Sequence, residues 1–244
     1  MKKIAYFSYG VLSYALFFGT YCYAVGFVTN LLVPTSLDGV SKVSFFRSFL
    51  INASLLLLFA VQHSVMARPA FKKWWTSIVP EPIERSTYVL FSSICLILLL
   101  WLWEPMGGIV WSVEATPLRI ALTALSFAGF GIVLVSTFMI NHFDLFGLRQ
   151  VWFFLRGQNY RPLKFRTPFF YRYVRHPLYL GWIMAFWAAP TMTLAHFLFA
   201  ALCTGYILIA IQLEEKDLIQ TFGAKYTEYK RNAPMLIPFT KSKK

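Results

Sequence analysis

The chain has 244 residues, of which 58% are hydrophobic and 14% charged, with a mean hydropathy of +0.58. Soluble domains carry about 25% charged residues, so this composition excludes a cytosolic domain and a disordered chain. A net charge of +13 would suggest nucleic acid in a soluble domain, but in a chain this apolar it points to basic loops that set topology, with no nucleic-acid partner.

The apolar runs are long enough to cross a bilayer, where about 20 residues suffice. They predict an all-α, polytopic integral membrane protein with four transmembrane helices and a C-terminal helical hairpin. Met1-Lys2-Lys3 followed by apolar residues resembles a signal peptide, but the run continues to Val33, beyond the usual core of about 7–15 residues. It reads as an uncleaved first span, Ser8 to Val33. The turn cluster Pro34 to Gly39 follows, and the second span covers Phe45 to Met66. Ala67 to Arg85 is polar and aromatic, with Pro69, Pro80 and Pro82. Ser86 to Trp103 forms the third span, closed by Glu104-Pro105-Met106-Gly107-Gly108, and Leu118 to Ile140 the fourth.

Asn141 to Pro177 breaks the pattern. It holds seven cations (Arg149, Arg156, Arg161, Lys164, Arg166, Arg172 and Arg175) and one acid, Asp144. A connector this long is unusual without a function. Arg161 and Thr167 each precede a proline and so favour extended backbone. The hairpin follows, with arms Leu178–Ala189 and Leu194–Leu213 and a break at Ala189-Pro190-Thr191. The first arm, about 12 residues rising 1.5 Å each, is too short for a core of about 30 Å. The second arm is expected to continue as a polar helix from Glu214 to about Arg231. By these readings residues 1–140 are a four-span bundle and 141–244 a catalytic connector, hairpin and tail, together one integrated domain. The basic loops alternate: Arg68, Lys72, Lys73 and Arg85 after the second span, then the connector and the tail. This puts the N- and C-termini and the connector in the cytoplasm.

Few residues in such a chain can carry chemistry. Arg175-His176-Pro177-Leu178-Tyr179-Leu180-Gly181 lies where the chain re-enters the membrane. Pro177 suits a first helical turn, whose N–H groups with Arg175 would make an anion site. An ordinary helix start with interfacial anchors reads equally well. Glu214-Glu215 closes the last apolar run. One carboxylate facing inward could hold a cation such as an α-amino group, and a solvated helix exit is the simpler alternative. His142 and Asp144 close the fourth span as a possible proton-accepting pair, or as an interfacial cap. Gly129-Phe130-Gly131 reads as close helix packing. His196 reads as a hydrogen-bonded membrane histidine. Cys22, Cys95 and Cys203 are isolated, and no histidine has metal-ligand spacing.

Arg175-His176-Pro177-x-Tyr179-x-Gly181, Glu214-Glu215-x-x-Leu218 and Phe222-Gly223-x-x-Tyr226-x-x-Tyr229 resemble the membrane methyltransferase group of isoprenylcysteine carboxyl methyltransferases and phospholipid N-methyltransferases. Three upstream blocks, Gln62 to Pro69, Pro82 to Tyr88 and Asn141 to Val151, narrow the resemblance to the bacterial methanethiol S-methyltransferase family. The resemblance implies S-adenosyl-L-methionine as cofactor, with Arg175, His176, Tyr179, Gly181, Glu214 and Glu215 at its pocket. It implies a small thiol as substrate, membrane lipids as neighbours and the bacterial inner membrane as the location. The upstream blocks then carry substrate and catalysis: His142 with Asp144 as base, and Arg149 or Arg85 beside the thiolate. Two other readings compete. One is a methyltransferase for a prenyl-cysteine carboxylate or a phospholipid amine. The other is a transporter or structural membrane protein. Neither the identity of the base nor the oligomeric state follows from the sequence.

Overall fold

The computed structural model describes residues 1–240, so the last four residues of the tail lie outside the described part. Five of its helices are long and apolar enough to cross a membrane. In chain order the helices are α1 (Lys2–Thr29), α2 (Phe45–Ala67), α3 (Pro69–Trp75), α4 (Glu81–Leu102), α5 (Thr116–Ile140), α6 (His142–Leu145), α7 (Leu148–Leu155), α8 (Pro177–Trp187), α9 (Leu194–Phe222) and α10 (Ala224–Asn232). A two-stranded antiparallel ribbon joins β1 (Ile109–Ser112) to β2 (Thr191–Thr193). The chain is an integral membrane protein, mostly helical as its composition demands. Backbone groups have no water to bond to in hydrocarbon, and a helix satisfies them internally.

The chain divides into two units. The first comprises residues 1–37, 41–105 and 141–163. Here α1 and α2 both pack on α4, and α7 packs on α1. Two polar side chains fasten the loops at one end of this unit. Buried Asn52 donates from Nδ2 to Glu104 O at 2.7 Å and accepts from Glu104 N at 2.9 Å, so both halves of its amide are satisfied. Trp103 Nε1 donates to Leu37 O at 3.2 Å. At the other end α3 is tied to α4 by Lys72 and the buried Glu84, 3.3 Å apart. Glu81 and Glu84 occupy the first turn of α4, where the helix dipole favours anions.

The second unit comprises residues 38–40, 106–140 and 164 onward. Its main contact is α5 against α8. Lipid tails are as apolar as leucine, so membrane helices associate by close packing rather than by the hydrophobic effect. The crossing uses glycine for this. A Cβ on Gly129 would lie 2.6 Å from Ala185 N and Gly181 O. Gly181 faces Gly129 in return, and Ser126 Oγ donates to Ala185 O at 2.9 Å. Gly129 thus plays the packing role its sequence suggests, while Gly131 faces open space. His196 is buried, with Nε2 2.9 Å from Phe186 O and Nδ1 3.1 Å from Asp38 Oδ2, and Thr193 also donates to Asp38.

Several sequence expectations need correction. The first span runs Lys2–Thr29 and ends at Asn30 in the left-handed region (φ 58°), four residues before Pro34. The third span begins at Glu81, because Pro82 starts a helix rather than preventing one. The connector is not a loop throughout: α6 and α7 occupy its first half, a 3-10 helix covers Phe169–Arg172, and residues 158–168 are its longest stretch without regular structure. The hairpin turn contains β2, and the second arm does not pass unbroken into the tail. Gly223, at φ 59° and ψ −129°, takes a conformation that suits glycine, so α10 leaves α9 as a separate helix.

The α5–α8 crossing generates the first prediction. Gly129→Ala forces a methyl group into backbone atoms and should cost about 1–3 kcal/mol. Gly131→Ala should be neutral or slightly stabilising. Melting temperatures in detergent measure both, and equal melting would remove the crossing as the reason for Gly129.

Candidate functional site

In the second unit the polar residues of the re-entry segment converge on Glu215. Its side chain is 3% exposed. Three donors surround the carboxylate: Arg175 Nε at 2.7 Å from Oε1, His176 Nε2 at 3.1 Å from Oε1, and Lys230 Nζ at 2.6 Å from Oε2. The segments that supply them are locked in turn. Arg175 Nη1 donates to Lys230 O at 3.0 Å and also to Ala233 O. The backbone N–H groups of Arg175 and His176 donate to Pro234 O and Met235 O at 2.9 and 3.2 Å. The tail therefore lies along the Arg-His-Pro segment, and α8 begins directly after it with Pro177 in its first turn. Arg175 is committed to Glu215 and to two carbonyls, so it is not a free anion site.

Glu214 differs from its neighbour. Its side chain is 41% exposed, yet Oε2 is buried and has no hydrogen-bond partner among the described residues. His176 Nδ1 stands 3.8 Å away, too far for a hydrogen bond. The Tyr226 hydroxyl is likewise buried without a partner. Tyr226 belongs to an aromatic group in which Phe165 meets Phe222, Tyr226 and Tyr229 with ring centroids 5.3, 5.9 and 5.6 Å apart. Burial, with the charges of Glu215 and Glu214, raises the Tyr226 pKa well above its ordinary value, so the hydroxyl stays protonated. Tyr179 packs its ring 5.6 Å from His176. Gly181 lies in the helix crossing already described.

The first unit holds the other four candidates. His142 is buried within a group of aromatic rings, with Phe146 and Tyr14 at 4.8 and 5.6 Å between centroids. Its Nε2 is 2.8 Å from the Tyr14 hydroxyl. Burial holds its imidazole below the ordinary 6.5, so the neutral ring prevails at neutral pH. Asp144, expected beside it, is turned elsewhere. Its carboxylate accepts from Arg149 Nη1 at 2.8 Å and from the Tyr160 hydroxyl at 3.1 and 3.3 Å. Burial first, then the Asp144 charge, pushes Tyr160 up to about 12. Arg149 is thereby neutralised, and its guanidinium lies 5.0 Å over Phe153 and 5.4 Å over Tyr160. Arg85 donates from Nε to Leu145 O at 2.7 Å and stacks 4.7 Å over Tyr88. It has no carboxylate partner among the described residues.

Sequence reasoning missed Tyr14, Lys230 and Tyr160. No local spacing marks them, since each partner lies 15 or more residues away. The Tyr226–Tyr229 pair was visible as part of a motif, but without a role.

The contrast between the glutamates is testable. Glu215→Gln leaves Arg175 and Lys230 without their counter-charge, and breaking a buried pair on one side costs about 3–5 kcal/mol. Glu214→Gln should melt like wild type. Equal melting of the two variants would overturn this division of labour.

Comparison with known proteins shows the family. The family described as phospholipid methyltransferase matches residues 118–225. The chain is 55% identical to a protein named methanethiol S-methyltransferase from Crocosphaera subtropica, over 95% of this chain and 91% of that one. It is 52% identical to methanethiol S-methyltransferase 1 of Bradyrhizobium diazoefficiens, over 98% and 84%. It is 48% identical to a methanethiol S-methyltransferase of Mycobacterium tuberculosis, over 98% of both. No solved structure matches the chain. With such identity along nearly its whole length, the chain belongs to the methanethiol S-methyltransferase family of membrane enzymes.

Proposed function

We propose that this enzyme methylates a small thiol, converting methanethiol to dimethyl sulfide with S-adenosyl-L-methionine as donor. The observation that carries the reading is the 48–55% identity to methanethiol S-methyltransferases over almost the full chain. The phospholipid methyltransferase match over residues 118–225 favours a second reading, a membrane methyltransferase for a lipid amine or prenyl-cysteine.

The second unit fits a donor that carries an ammonium group. Glu214 Oε2 and the Tyr226 hydroxyl are buried polar atoms without a hydrogen-bond partner among the described residues, and native proteins keep few such atoms without a use. Glu215 is already matched by Arg175, His176 and Lys230, so Glu214 is the carboxylate that accepts the α-amino group. Arg175 and Glu215 position the segment, and His176 and Tyr179 border the pocket, whereas Gly181 packs on Gly129 in the helix crossing and sets the position of α8. When bound, S-adenosyl-L-methionine would supply an electrophilic methyl carbon, which passes to the thiolate sulfur while S-adenosylhomocysteine leaves as the neutral thioether.

In the first unit His142 removes the thiol proton. Its depressed pKa keeps the imidazole neutral and able to accept a proton below pH 6.5 as well as above it. Tyr14, rather than Asp144, orients the ring. Arg85, having no carboxylate partner among the described residues, is the cation beside the nascent thiolate, and Arg149 with Asp144 holds the start of α7. A thiol attacks best as thiolate, so this assistance matters most at neutral pH. The basic loops support an orientation in the bacterial inner membrane with the N- and C-termini and the connector on the cytoplasmic side. Lipids surround the apolar helices.

Two outcomes check the reading. In the first, purified protein supplied with labelled donor should label methanethiol and leave a prenyl-cysteine and a phospholipid unlabelled. His142→Ala should lower that turnover by about 100-fold at pH 7, with a loss that shrinks as rising pH forms thiolate unaided. A folded variant with normal neutral-pH turnover would remove His142 as base. In the second, Glu214→Gln should weaken binding of S-adenosylhomocysteine while preserving the fold, and unchanged affinity would return the α-amino contact to another group.

A further inference from the structure

The chemistry above uses neither Gln62 of α2 nor Trp75 of α3. Each carries a buried polar atom with no hydrogen-bond partner among the described residues: Gln62 Oε1, an acceptor, and Trp75 Nε1, a donor. Both side chains adjoin one apolar cluster in the first unit. Gln62 Nε2 is 3.1 Å from the Met66 sulfur, and Trp75 packs with Phe71 and Phe146 on a core of Met66, Tyr88 and Val89. An orphan donor and an orphan acceptor against one apolar cluster select a particular ligand. It must accept one hydrogen bond, donate one, and be apolar elsewhere. A thiol does this, because its S–H donates weakly and its sulfur accepts. Aromatic rings are also favourable neighbours for sulfur.

Two more features suit the same ligand. Tyr88 presents its ring to the Arg85 guanidinium at 4.7 Å, so the cluster has a cation at its border. The Tyr88 hydroxyl is 3.0 Å from His63 Nε2, and the ring of His63 stacks on Phe59. The tyrosine is thus held from its polar end while its face stays on the cluster. The seven-residue α3 that carries Trp75 is fastened to α4 through Lys72 and Glu84.

We propose that Gln62 and Trp75, with Met66 and Tyr88, form the binding site for the small alkyl thiol. Trp75 Nε1 donates to the thiol sulfur, Gln62 Oε1 accepts from the S–H of the resting thiol before that proton passes to His142, and Met66 limits the length of the alkyl group. The proposal rests on the small-thiol reading, and its test separates the two. The full chain is purified in lipid nanodiscs and assayed with labelled methyl donor and a series from methanethiol to propanethiol. Wild-type enzyme that labels no thiol sinks the small-thiol reading and this site with it. With an active wild type, Trp75→Phe and Gln62→Leu should each raise KM for methanethiol about five-fold, leaving kcat and S-adenosylhomocysteine affinity within two-fold. Met66→Ala should shift the ratio of kcat/KM for propanethiol over methanethiol upward by about ten-fold. That ratio does not depend on the fraction of enzyme folded, so it decides the matter if the other variants fold poorly. Unchanged methanethiol KM in folded Trp75→Phe and Gln62→Leu, or an unchanged ratio in Met66→Ala, would show that these atoms serve packing or bind water, and would overturn the site.

Discussion

A carboxylate at the end of an apolar helix is costly unless its charge is matched, and Glu215 is matched three times. Arg175 and His176 come from the segment before α8, and Lys230 from α10. One anion therefore joins three stretches of chain, and the aromatic group of Phe165, Phe222, Tyr226 and Tyr229 packs beside it. The tail follows, because Arg175 also holds carbonyls of Lys230 and Ala233, and the Arg175 and His176 amides bond to Pro234 and Met235. The short helix α8 starts where this assembly ends. Its other face is committed to α5 by the Gly129–Gly181 contact. Satisfying Glu215 internally is also what leaves Glu214, one residue away and about 100° around the helix, with an unmatched oxygen.

The first unit follows a different rule. Its polar groups are dispersed among aromatic rings rather than gathered around one charge. Asp144 neutralises Arg149 and accepts from Tyr160, while His142 sits among rings with the Tyr14 hydroxyl as partner. The effect is to lower the imidazole pKa by burial instead of raising it with a carboxylate. The role proposed for His142 as base is consistent with this, because a nearby anion would favour the imidazolium. By linkage, the stability gained from burying the neutral ring is present above the ordinary histidine pKa of 6.5. It is lost as pH falls from there through the depressed folded value.

Particular residues show how far sequence reasoning reaches. The Phe45 and Ile140 ends of α2 and α5 were legible, because a long apolar run has one stable solution in a bilayer. Pro177 and the proline-broken hairpin were legible for the same kind of local reason. The helices α6 and α7 were not, since a run of arginines and aromatics reads as a basic loop when its packing surface is unknown. The His142–Asp144 pairing failed because residues two apart on a short helix face different directions, and the nearer partners proved to be Tyr14 and Arg149.

The sequence by itself determined that this is a helical membrane protein, where its spans lie, and which family's motifs it carries. Hydrophobic run length, proline position and motif spacing are local properties, and the bilayer imposes the rest. Only the tertiary structure decided which glutamate is neutralised and, among the described residues, which arginine lacks a carboxylate partner and that Gln62 and Trp75 keep buried polar atoms unpaired. These depend on which distant side chain fills each site. Lys230 is 15 residues from Glu215 and Tyr14 is 128 from His142, and only packing brings them within hydrogen-bonding distance.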